Sequence, residues 1–196
     1  MSSAHKQAFR RVFVPIDFPR QLPAGHGGGT ELPISDNATV HVSNASIRAL
    51  ELARDLTGTH GELRLVHATA PLDPSSIYTG HGVGALRGAI EEIHRDAQET
   101  ALQLLRALAE RTCPGAHVSC SATHGVPVMF VLDEAERFDA DLIIVPASDR
   151  GRVARFLLGS TADRVIREAK CPVLVVPSDA TPRQAPQRAA GTSPNT

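Results

Sequence analysis

A chain of 196 residues, 42% hydrophobic and 21% charged, is sized and composed for one globular domain with short appendages. Its net charge of −1 excludes a global field for gathering nucleic acid, so any anion site must be local. No apolar run approaches the ~18 residues of a membrane span, and MSSAHKQAFRRVFVPID lacks a signal-peptide core; both point to a cytoplasmic protein with no membrane or nucleic-acid partner.

Residues 1–10 read as an N-terminal extension, after which Arg11-Val-Phe-Val-Pro-Ile16 is a first strand ending at Asp17. Residues 18–45 contain three prolines and Gly25, Gly27, Gly28 and Gly29 without a sustained period, so they read as a loop inserted into the domain, with some extended structure around His41-Val-Ser43. A helix follows from about Asn44, with Ala49, Leu52, Ala53 and Leu56 at helical spacing and Gly58 to end it. Glu62–Ala68 is a second strand, and residues 71–84 are a loop in which GHGVGALRG only brushes against a dinucleotide fingerprint. Ile90, Ile93, Ala97, Ala101, Leu104, Leu105 and Leu108 then form the stripe of a long helix closed by Pro114-Gly115.

The third strand runs from His117 to Thr123, and Pro127 opens the next helix, whose apolar face is Val128, Val131, Leu132 and Ala135. Asp141–Val145 and Pro172–Val176 are buried-strand runs on either side of a short helix carrying Ala162, Val165, Ile166 and Ala169. Residues 178–196, rich in Pro, Ala, Ser and Gln, read as a disordered tail. The order β-α-β-α-β-α-β-α-β predicts an α/β fold: a doubly wound, five-stranded parallel sheet with helices on both faces. In such sheets ligands bind beyond the carboxyl ends of the strands, where strand order switches, which directs attention to Asp17 and to the loops after Val66 and Val145.

Gly159-Ser160 stands at the start of the last helix. Ser160 suits an N-cap, with Asp163 three residues on, and needs no ligand to explain it. The same free N–H groups attract phosphate, and Arg150, Arg152 and Arg155 lie in the approach to them. Against a phosphate, Pro146 offers no N–H, and Asp149 brings a like charge. Held about 4 Å from a phosphate charge, Asp149 would cost roughly 4 kcal/mol at an effective dielectric of 20, half of the ~8 kcal/mol behind a micromolar dissociation constant.

These segments resemble the universal stress protein family. The resemblance runs over 11–177 apart from the insert, through VFVPID, SIRALELARDL, LRLVHA, HGVPVMFVLDEAERFDADLIIV and, most specifically, ARFLLGSTADRVIREAKCPVLVV. It implies an adenine-nucleotide-hydrolase-like, Rossmann-like domain. ATP-binding members carry Gly-x2-Gly-x9-Gly-Ser/Thr; aligned here, Gly159 and Ser160 match while Pro146 and Asp149 replace the first two glycines. By that resemblance Asp17 approaches the nucleoside, the backbone at Val66 and His67 meets the base, and Arg150, Gly159, Ser160 and Thr161 take phosphate. ATP or another adenine nucleotide is thus the implied cofactor of a half-kept site.

Three cysteines at irregular spacing exclude a disulfide framework, and nine scattered histidines give no metal-ligand pattern. His67 beside Asp17 is the one acid–base pair the sequence suggests, against a plain packing histidine. Pro172–Pro177, apolar and bracketed by prolines, reads as an edge strand that either pairs with a second copy, as the resemblance implies, or is covered by the tail or the 18–45 insert of the same chain; the dimer is the expectation. The expected function is a cytoplasmic regulatory or binding protein of stress response, a homodimer with an unknown protein partner. A slow ATPase and a ligand-free dimeric scaffold are the alternatives.

Overall fold

The computed structural model describes residues 9–18, 29–35, 38–69, 83–147 and 160–177. Their elements are β1 (Arg11–Pro15), β2 (Gly29–Ser35), β3 (Ala38–Ser43), α1 (Asn44–Thr57), β4 (Glu62–Thr69), α2 (Val83–Thr112), β5 (His117–His124), α3 (Pro127–Arg137), β6 (Leu142–Pro146), α4 (Ser160–Glu168) and β7 (Val173–Val176). Five strands form the expected parallel sheet in the order β5-β4-β1-β6-β7. The N-terminal extension up to residue 8, the Arg150 loop with Gly159, and the tail 178–196 lie outside the described residues.

β1 is the centre of the sheet because it is apolar on both sides. Val12, Phe13 and Val14 are all fully buried, as a strand covered on two faces demands. Its alternation divides the core. Val12, Val14, Ile16 and Phe18 join Leu50, Leu65, Leu105 and Leu108 on the α1/α2 face. Phe13 joins Val131, Ile143 and Val165 on the α3/α4 face. Asp141 ties the starts of β1 and β6 together, its carboxylate accepting from the backbone N–H groups of Arg10 (2.7 Å) and Arg11 (3.1 Å).

Helix ends follow local chemistry. Ser43 caps α1 by accepting from the Ser46 N–H at 3.1 Å. Gly58 ends that helix at φ +62°, its N–H bonded to the Arg54 carbonyl. Pro127 occupies the first turn of α3, where its missing N–H costs nothing.

Three expectations need correction. The segment 18–45, read as a loop, contains an antiparallel hairpin, β2 against β3, and Leu32 and Val42 from it are buried in the α1/α2 core. A two-stranded ribbon leaves N–H positions unpaired, so Pro33 is tolerated in a strand that a central position would forbid. The loop expected over 71–84 gives way to α2 at Val83, so Gly84 and Gly88 are helical. Finally, the α2 stripe is buried only in its C-terminal half: Leu104, Leu105 and Leu108 are covered, whereas Ile93 is 51% exposed. A 30-residue helix is about 45 Å long at 1.5 Å per residue, longer than the eight-residue strands beneath it can cover.

Candidate functional site

Strand order reverses between β1 and β6: β4 and β5 extend the sheet to one side of β1, β6 and β7 to the other. The carboxyl ends of β1 and β6 therefore flank the crevice at which doubly wound sheets bind ligands. Asp17 follows β1 there and is exposed. Because α4 connects β6 to the parallel neighbour β7, it must start at this same edge, which brings the backbone N–H groups of Ser160 and Thr161 to the end of the sheet occupied by Asp17. Pro146, the last residue of β6, pairs with Val176.

Val66 is fully buried near the end of β4, and its carbonyl accepts from the Ile16 N–H at 2.8 Å, extending the ladder past β1. His67 is buried beside it, with Nδ1 2.8 Å from the Ile16 carbonyl oxygen. A carbonyl only accepts, so Nδ1 carries the proton and Nε2 is left as an acceptor. The Phe18 ring lies against the imidazole, centroids 4.9 Å apart. Burial holds the His67 pKa below its ordinary value; the Ile16 bond and the charge of Asp17 oppose this in part. His67 is thus a neutral, packed ring whose donor is committed to the backbone. Asp17 acts on it through charge.

Asp17, Val66, His67, Ser160 and Thr161 therefore share one edge of the molecule, while Arg150, Gly159 and Asp149 fall outside the described residues. Phe18, which the sequence places at the start of the 18–45 insert, belongs to the core beside this site. The signal was present in the two-residue spacing of Val12, Val14, Ile16 and Phe18, which continues the buried face of β1 beyond its last ladder pair.

Elsewhere, a groove of about 340 Å³ at the other end of β5 is lined by Arg106, Glu110, Cys113, Val118 and Cys120, among others. Burial raises both thiols, outweighing the guanidiniums of Arg106 and Arg64 near Cys120 and that of Arg54 near Cys113. Cys113, Cys120 and Cys171 are free. Among the described residues no three His, Cys, Asp or Glu side chains come together as a metal set, and no helix is long and apolar enough to cross a membrane.

A parallel sheet ordered in this way, with a crevice at its switch point, defines a doubly wound α/β protein. A family model described as the universal stress protein family matches residues 35–177, and the chain belongs to that family. Universal stress protein MJ0531 of Methanocaldococcus jannaschii is 37% identical over 87 residues, 44% of this chain and 50% of that protein, so the match spans half the relative's length. The solved structure of hypothetical protein MJ0577 superimposes with a TM-score of 0.61 at 18% identity, over 88% of this chain and 98% of that one. A universal stress family protein of Arabidopsis thaliana, At3g01520, solved with AMP bound, gives a TM-score of 0.50 at 18% identity, over 89% and 97%.

Proposed function

We propose that this chain is a cytoplasmic regulatory binding protein of stress response, whose switch-point crevice takes an adenine nucleotide weakly. The observation that carries the reading is the meeting, at one sheet edge, of Asp17, the end of β4 at Val66-His67, and the amino terminus of α4. Free N–H groups at a helix start favour an anion, and Asp17 suits the hydroxyls of a ribose. The AMP held by the Arabidopsis protein supports the same chemistry. Pro146 and Asp149, where ATP-binding members have glycine, argue for a weaker grip than theirs.

The same reading includes a homodimer. β7 pairs with β6 on one side, and among the described residues its other side is unpaired, with Leu174 38% exposed. Arg48 holds the end of this edge by donating to the Pro177 carbonyl at 2.6 Å. A short apolar edge of this kind is a template for a second copy.

Calorimetric titration of the full chain with AMP, ADP and ATP tests the site. Binding is expected for at least one of them, and Asp17→Ala and Gly159→Val should each weaken it at least tenfold. No heat with any of the three, and no nucleotide released on denaturing fresh protein, would overturn the reading in favour of a scaffold. Phosphate release from ATP with magnesium would replace it by a slow ATPase. A light-scattering mass of one chain would defeat the dimer.

A further inference from the structure

Far from Asp17 in sequence, the sheet edge carries a second feature. His124 ends β5 and His94 lies on α2, and their imidazoles stack face to face with centroids 3.4 Å apart and planes 22° from parallel. His94 Nε2 and His124 Nδ1 are both shielded from solvent without a hydrogen-bond partner. Two buried ring nitrogens without partners require an explanation. A shared metal ion is a poor one, because stacked rings direct their in-plane lone pairs along nearly parallel lines that do not converge on one ion.

The surroundings sort the charges. On α2, Glu91 precedes His94 by one turn and Gln98 follows by one turn, while Arg95 and Glu92 pair with each other at 3.9 Å. Gln98 Nε2 donates to the Ala122 carbonyl at 2.8 Å, a neutral tie between α2 and β5 just below the stack. On β4, Thr69 lies opposite His124, its hydroxyl donating to the Thr123 carbonyl, and His67 is two residues further back. On α3, the first charged residue is Asp133, in its second turn. Nothing among these neighbours offsets the burial and the His94 charge that act on His124.

We propose that the His94–His124 stack is an acid-released latch, closing the front of α2 onto the edge strand β5 at neutral pH and letting it go when both rings are charged. The stack accommodates two neutral rings or one cation, but two cations held 3.4 Å apart repel each other. Burial and the charge of His94 both lower the His124 pKa, so the second proton enters only under acid conditions, below the ordinary range of about 6.5. The pair then titrates in two separate steps. The Gln98–Ala122 bond has no titrating partner, so release is confined to the part of α2 before Gln98.

The test is amide hydrogen exchange on the full chain, corrected for intrinsic rates, at pH 7.5 and 5.0. Protection over residues 88–97 should fall at least tenfold in acid while that of β1 and β6 stays within twofold. His124→Phe keeps a stacking ring that cannot charge, and should abolish the difference; His94→Phe serves the same purpose if that variant does not fold. Imidazole carbon-bound proton signals of the native chain give a measurement that needs no variant: the two rings should titrate in separate steps, His124 in the more acid one. Uniform protection at both pH values, a Phe variant that opens like the native chain, or two rings titrating together would each overturn the latch.

Discussion

Among the described residues, one face of the sheet is covered by helices of 14 and 30 residues and by the buried side chains of the β2–β3 hairpin, the other by helices of 11 and 9. The first face is held by aliphatic packing, with Leu50, Leu63, Leu65, Leu105 and Leu108 all excluded from solvent. Among the described residues the second buries fewer side chains and adds charge. Arg64 on β4 meets Glu134 at 3.2 Å, Arg137 reaches the same carboxylate at 3.6 Å, and the Arg64 guanidinium lies 5.3 Å from the centre of the Phe138 ring. Short helices cover less apolar surface, so the α3/α4 face draws more of its cohesion from directional contacts to a nearly buried carboxylate. Asp17, the crevice and the start of α4 sit where the lighter cover meets the sheet edge.

Three substitutions test that contrast, the strongest first. Leu105→Ala removes packing from the heavy face and should cost about 2–5 kcal/mol, read as a fall in the denaturant midpoint. Next, Glu134→Ala should cost about 1–3 kcal/mol, because it leaves the Arg64 guanidinium, itself only partly exposed, without its carboxylate. A loss as large as that of Leu105→Ala would mean that the two faces are not built differently. The smallest effect is on pH dependence. Burial lowers the folded-state pKa of His67, so on acidification the unfolded chain takes up its proton first. The stability from this group is complete above about pH 6.5 and declines as pH falls from there toward the folded value. His67→Leu should therefore flatten the melting temperature between pH 6.5 and 5; an unchanged slope would contradict the burial.

Much of this could be read in the residues. The five parallel strands, the four helices and the edge position of β7 follow from apolar periods, from Gly58, and from Pro127. α1 kept its limits although its buried stripe includes Ser46, Leu50 and Thr57, beside the expected Ala49 and Ala53. On α4, Ile166 was expected to be inward and is 39% exposed, the helix packing onto the sheet through Ala162 and Val165, with Ala169 just beyond it. The hairpin was hidden by Pro33 and the glycines, although Thr39-Val-His-Val-Ser43 does alternate and Asp36-Asn37 stands between the two strands. At the site, residue types pointed to the correct edge. They could not show that His67 spends its proton on the Ile16 carbonyl or that Phe18 covers it, because both depend on neighbours about 50 residues apart.

The place of β1 bears on how the chain is assembled. This strand precedes the other four of its sheet in the chain, yet its partners are Glu62–Val66 on one side and Leu142–Ile143 on the other, the latter some 130 positions downstream. Each such pairing must wait for the intervening polypeptide and pay its loop-closure entropy before any contact rewards it. Val12, Phe13 and Val14 therefore lack one flanking strand until β6 has been made, and until then they form an apolar segment open to a chaperone or a neighbouring nascent chain.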